Sequence, residues 1–464
     1  MSATSGTHEL QDLVRQGAER LGIPGVAVGV YADGHEDYAV HGVTSLENPL
    51  PVDEHTLIQI GSTGKTFTAT AIMRLVADGD VDLLAPVRRY VPELRLQDED
   101  VAERVTVLNL LNHTAGWDGD FFEDTGAGDD ALARYVELMA DLDQVSPLGS
   151  FPSYNNAAVC LAGRVIEKVT GRSYEQAIRD LLLDPLGLEH TRFFPNDVMT
   201  RRFTVGHDEG EDGSLHVYRP WAEPRSASPA GGSIASCVRD QLAWARVHLG
   251  ASEAGDSGEG VLPGNLLSRM QEPTVDAGGA LGDFVGIGWI LRDVEGVRVV
   301  EHGGGGAGHE STFAMVPDRG FAVTVLTNGP GGTELGNEIQ RWALQRYLGV
   351  TEREPQPVKR SAQELTQYVG LFETIVVSMD VAVDDGYLRL TARVKPEVRD
   401  KMMAQGEEPP PDPPPFSLGF LDTASDRFVV PDGPLKGERG FFIRNESGEV
   451  DRVHFGGRLA TRAT

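Results

Sequence analysis

Apolar and polar residues alternate through PGVAVGVYADGHEDYAVHGV (24–43), on both sides of an Asp-Gly turn, and this pattern predicts a β-hairpin. From Ser62 to about Ala77 the apolar positions change to helical spacing, through Phe67, Ala71, Ile72 and Leu75, and stop before Gly79. The next stretch is helical and rich in loops. It holds VTVLNLLNHTAGW, a segment at 131–142, and a helix from Asn156 to a stop at Gly171. SYEQAIRDLLLDPLGL follows, with a Ser173/Gln176 capping box at its start and Pro185-Leu-Gly at its close. PAGGSIASCVRDQLAWARVHLG reads as a glycine turn and a helix. Strands then return as VGIGWIL, RVVEHGGGG, ESTFAMV and FAVTVLTNG, before a helix around 334–347. If the terminal strands share one antiparallel sheet, the helical insert covers one of its faces. The expected fold class is therefore α/β.

GVTEREPQPVKR (349–360) is charged and contains proline, as linkers do. Beyond it the pattern is all β: YVGLFE, IVVSMDVAV, YLRLTARV, FSLGFL, RFVVP, RGFFIR and EVDRVHF. Seven short strands in about a hundred residues predict a small barrel. The proline-rich GEEPPPDPPPF between them reads as an exposed, mobile loop. The expected division is a first domain at 1–350, a linker at 351–361 and a barrel at 362–464.

Composition removes some partners. The net charge of -29 repels nucleic acid and anionic membranes, so neither is expected as a partner. No window of 18 uncharged apolar residues occurs, which argues against a membrane span. The N-terminus lacks the basic start and apolar core of a secretory signal. Two cysteines, Cys160 and Cys237, read as buried thiols of a reducing compartment, so a cytoplasmic location is expected. Lysine is scarce. Only Lys65, Lys168, Lys359, Lys395, Lys401 and Lys436 occur, which makes a lysine three residues after a serine a pointed observation.

That pair lies in QIGSTGKTFTATAIMRL (59–75). Gly64-Lys65-Thr66 matches the end of a phosphate-binding loop, but the motif requires glycine at position 59, where this chain has glutamine. The alternative is S-x-x-K, with Ser62 and Lys65 on one helix face. A neutral lysine amine beside a serine hydroxyl can take its proton, and burial lowers a lysine pKa toward that use. Two further elements accompany the pair. Tyr154-Asn155-Asn156 opens a helix after a turn, so Tyr154 can shuttle protons and Asn156 can bind a substrate amide. His302 ends a strand and precedes four glycines, which let a substrate lie against the strand edge. The backbone N–H of Gly305 can there join that of Ser62 as an oxyanion hole.

Together these motifs resemble the serine β-lactamase and penicillin-binding-protein superfamily over residues 8–350. The likeness rests on S-T-G-K at 62–65, Y-N-N at 154–156 and H-G-G at 302–304, with LLNHTAGW, DPLGLEHTRF, PAGGSIAS and GIGW beside them. Within it the chain looks most like esterases and D-stereospecific peptidases. The resemblance implies Ser62 as the acylated nucleophile and Lys65 with Tyr154 as the proton-transfer pair, either of which can be the base. It implies Asn156 as amide ligand, and His302, Gly304 and Gly305 along the cleft. His302 stands where penicillin-processing enzymes usually keep a lysine, which places β-lactam hydrolysis below other acyl chemistry.

The tail resembles the lipocalin-like domain of some of these peptidases and of penicillin-binding-protein-type thioesterases, where the barrel flanks the active site. In that arrangement Arg444, Arg452 or Arg458 of the barrel can reach the cleft and bind a substrate carboxylate. The expected function is serine acyl transfer without metal or organic cofactor, on a small ester or a D-configured amide or peptide. The rivals are a macrocyclising thioesterase fed by a carrier-protein-bound thioester, a β-lactamase, and a non-enzymatic sensor on the same fold. Oligomeric state is not readable from the sequence.

Overall fold

The computed structural model describes residues 3–463 except 211, 252–260, 354, 405–410 and 434, with residues 3–7 described by backbone alone. The predicted hairpin forms, as strands Gly25–Ala32 and His35–Gly42. Gly25–Ala32 pairs antiparallel with Phe321–Thr327, Val28 opposite Val325, so the two ends of the first unit meet inside one sheet. That sheet has eight strands. From Phe321–Thr327 it continues through His309–Val316, Val297–Gly306, Ile290–Val294, Gly282–Val285 and Val275–Gly279.

Strand alternation explains why both faces are covered. Ala27 and Tyr31 point into the core shared with the helical region, whereas Val26, Val28 and Val30 point into a second core on the other face. The helices Ala3–Leu21 and Gly332–Leu348 form that second cover, through Leu10, Val14 and Ala18 of one and Leu335, Ile339 and Ala343 of the other. The expected covering of one face by the helical insert is therefore half of the arrangement. The N-terminal helix carries apolar residues at every fourth position, a stripe whose partner is visible only in the folded chain.

Several local expectations change. VGIGWIL is not one strand: it turns at Gly286–Trp289, where Gly286 N–H bonds Trp289 O, and Gly288 takes a positive φ of 72°. Ser173 caps its helix by accepting from Gln176 N–H, but Pro185 lies within the helical stretch, which closes at the left-handed Gly187.

The C-terminal strands close into a barrel of eight. The eighth strand, Arg458–Arg462, was not separated in the sequence; it pairs with Gly370–Glu373 to seal the ring. A helix, Pro396–Ala404, precedes the proline-rich stretch. Of that stretch, residues 405–410 lie outside the described residues, and 411–415 are exposed without regular structure. Aromatic rings fill the barrel, among them Phe372, Phe420, Phe428 and Phe442. No described helix is long and apolar enough to cross a membrane.

Candidate active site

The nucleophile segment starts with a 3₁₀ turn, Gly61–Gly64, which continues as the helix Lys65–Ala77. The helix is buried almost all round, so the turn is fixed by packing rather than by a capping side chain. Thr63 Oγ1 donates to His302 O at 3.2 Å and Ser311 Oγ donates to Ile60 O at 2.7 Å; the two hydroxyls are 2.9 Å apart. These bonds fasten the turn to the strand pair Val297–Gly306 and His309–Val316.

Glycine permits the close approach. A Cβ on Gly304 would lie 2.1 Å from Ile60 O and 2.7 Å from Ser62 N. Gly61, in the left-handed region at φ 49°, has Gly305 N in the same relation at 2.6 Å. The backbones of Ser62 and Gly305 therefore run side by side.

Lys65 is 2% exposed, and its Nζ donates to Ser62 Oγ at 2.8 Å and to Ala230 O at 2.7 Å. Burial, with help from the Arg458 guanidinium and against Cys160 and Asp120, lowers its pKa to about 7. Tyr154 hydrogen-bonds to Ser62 as well, and burial drives its phenol pKa far up. Its ring lies 4.9 Å from Lys65 Nζ and 4.5 Å from the His113 ring. Three of the predicted residues thus meet at one hydroxyl.

The remaining ones lie around it. Asn156, the first residue of the helix Asn156–Thr170, donates from Nδ2 to Asp120 Oδ1 at 3.2 Å. His302 donates from Nδ1 to Gly303 O at 2.6 Å, and its ring centre is 6.0 Å from that of Tyr154. Burial and the nearby Lys65 hold its pKa down at about 3, so the imidazole is neutral at ordinary pH.

The barrel supplies the rest. Arg458 lies over the Tyr154 ring at 4.7 Å and pairs with Asp120 through Nε and Nη2 at 3.0 and 2.8 Å. Tyr154 N–H bonds Gly457 O at 2.7 Å, Leu459 N–H bonds Ser153 Oγ, and Ile375 N–H bonds Asp118 Oδ2. Arg444 and Arg452 point elsewhere, to Asp426 and Asp451. Sequence reasoning missed Asp120, His113, Thr63 and Ser311. For His113 the LLNHTAGW segment was a usable signal, because its Nδ1 accepts from Asn155 N–H at the turn bearing Tyr154. For Asp120 there was none, since its partner lies in the barrel.

The chain is similar to known proteins in sequence and in fold. The sequence profile described as beta-lactamase matches residues 10–347. Penicillin-binding protein 4 of Amycolatopsis lactamdurans is 34% identical over 333 residues, covering 71% of this chain and 87% of that protein. A β-lactamase of Providencia stuartii is 33% identical over 201 residues, 43% of this chain and 50% of its own length. Among solved structures, SurE with D-Leu matches with a TM-score of 0.76 at 23% identity, over 99% of this chain and 100% of that one. This last likeness is one of fold, and it includes the barrel. From profile, relatives and fold together, the chain belongs to the β-lactamase family of serine hydrolases.

Proposed function

We propose that the protein is a serine acyl-transfer hydrolase acting on an ester, amide or peptide whose acyl residue is D-configured. One observation carries the reading: Lys65 Nζ, with its pKa at about 7, lies 2.8 Å from Ser62 Oγ. In this reading Lys65 takes the Ser62 proton as Oγ bonds to the substrate carbonyl carbon. The N–H groups of Ser62 and Gly305 hold the oxyanion, and losing one such donor raises a barrier by about 3 kcal/mol. The intermediate collapses as the leaving group departs with a proton handed on through Lys65 and the Tyr154 phenol. Water then attacks the acyl-serine, gives its proton back along the same path and frees the acid.

Asn156 orients the substrate amide. It adjoins a small apolar recess lined by Phe121, Phe122, Tyr135, Pro224 and Ala230. The D preference is supported by the D-Leu in the structure that matches the whole fold.

Intact-mass spectrometry after treatment with a fluorophosphonate tests the nucleophile. The protein should gain one adduct, and Ser62→Ala none; equal labelling of both would sink the reading. Paired D- and L-aminoacyl esters then report the stereochemical preference.

A second reading is release of a peptidyl thioester by its own amine, supported by the barrel flanking the site, where Arg458 lies over the Tyr154 ring. Its Nε and Nη2 are engaged by Asp120, while Nη1 makes only a 3.4 Å contact to Gly456 O and stays available to a substrate carboxylate. A peptide thioester mimic separates the two, with linear acid supporting the hydrolase and cyclic product the rival.

A further inference from the structure

Away from the acyl site, three side chains with metal-binding donors converge. His55, His190 and Cys237 place one donor atom each within 4.8 Å of the others. The two imidazole rings lie 5.1 Å apart at 45°, and Cys237 is fully buried beneath them. We propose that these three residues form a binding site for a zinc-class divalent cation, a metal the acyl chemistry does not use.

The donors come from separate segments that backbone bonds hold in place. Cys237 caps the helix Val238–His248 and follows the short strand Ala235–Ser236, which pairs with Ile58–Gln59. His190 is brought alongside because Arg192 and Ala235 exchange two backbone hydrogen bonds at 2.8 Å. Its own N–H donates to Asp240 Oδ2, also at 2.8 Å. His55 sits on the turn before Ile58–Gln59, its N–H bonded to Asp53 Oδ1.

The geometry suits the ion. A tetrahedral zinc with bonds of about 2.0–2.3 Å needs donors roughly 3.3–3.6 Å apart. Closing from 4.8 Å asks for about 1 Å of movement, and His55, whose side chain is 49% exposed, can supply it by rotating. Two imidazoles and a thiolate make a nitrogen and sulfur set that favours zinc over magnesium or calcium. On binding, the thiol proton passes to solvent. Charges of both signs surround the place: Glu54 and Asp240 can complete the coordination or its outer shell, and Arg239, Arg192 and Arg201 lie nearby. The bound ion would tie the segment that leads into Ser62, seven residues after His55, to the start of the helix Val238–His248.

Titrating the chelator-treated full-length protein with Co(II) tests the site. One equivalent should produce a thiolate-to-cobalt charge-transfer band with tetrahedral d–d absorption, and Zn(II) should bleach both. Cys237→Ser should lose the charge-transfer band while Cys160→Ser keeps it. His55→Ala and His190→Ala should each weaken Zn(II) binding at least 100-fold in a chelator competition. Because Cys237 is buried and its variant can misfold, the half-exposed His55 decides: unchanged affinity in His55→Ala, or no band at one equivalent, overturns the proposal.

Discussion

At the scale of single residues the site turns on what burial does to two protons. The Lys65 amine, short of water and near Arg458, holds its proton only up to about pH 7, whereas the Tyr154 phenol keeps its own throughout the usual range. In the proposed mechanism the lysine is thus the better base. Protonation disables it, so kcat/KM should fall about tenfold per pH unit below about 7 and level off above, in a pH–rate profile. A flat profile from pH 5.5 to 8.5 would remove Lys65 from that role. The sign for stability follows from the same shift. The unfolded chain holds this proton up to the ordinary value of 10.5, so the contribution of Lys65 to stability declines as pH falls from 10.5 to about 7, and no further below.

At the scale of elements, the strand Val297–Gly306 and the turn Gly61–Gly64 lie closer than side chains would allow. Gly304→Ala would set a methyl 2.1 Å from Ile60 O and 2.7 Å from Ser62 N, both rigid backbone atoms. The turn must then move away from the strand. A displacement near 1 Å at a reacting centre lowers rates on the order of 100-fold. Steady-state kinetics of Gly304→Ala should show that loss in kcat with the folded state retained by circular dichroism. Activity within threefold of the parent would mean that the two backbones do not act as a unit.

At the scale of the molecule, the barrel is joined to the cleft. Its last hairpin bonds the backbone of Tyr154, and Arg458 bridges Asp120, which in turn holds Asn156. Removing the guanidinium leaves the Asp120 carboxylate unpaired and takes the available cation from the cleft; truncating one partner of such a pair costs about 2 kcal/mol or more. Arg458→Ala should therefore raise KM for a substrate bearing a free carboxylate by roughly 10- to 100-fold, and much less for its amide counterpart. Equal effects on both would assign Arg458 to structure alone.

The chain's own pattern determined a good deal. S-x-x-K spacing puts Ser62 and Lys65 on one face of a helix whatever surrounds them, because that relation is local. Alternation gave the hairpin and most barrel strands, and the glycine run after His302 marked where another backbone comes close. What lies beyond a few residues' reach was decided by tertiary structure. Both faces of the sheet are covered because two terminal helices, distant in sequence, dock side by side. The pKa of Lys65 is low because folding removes its water. Arg458, rather than Arg444 or Arg452, faces Tyr154 because barrel closure sets the direction of the last hairpin, and long-range packing of that kind leaves no local periodicity to read.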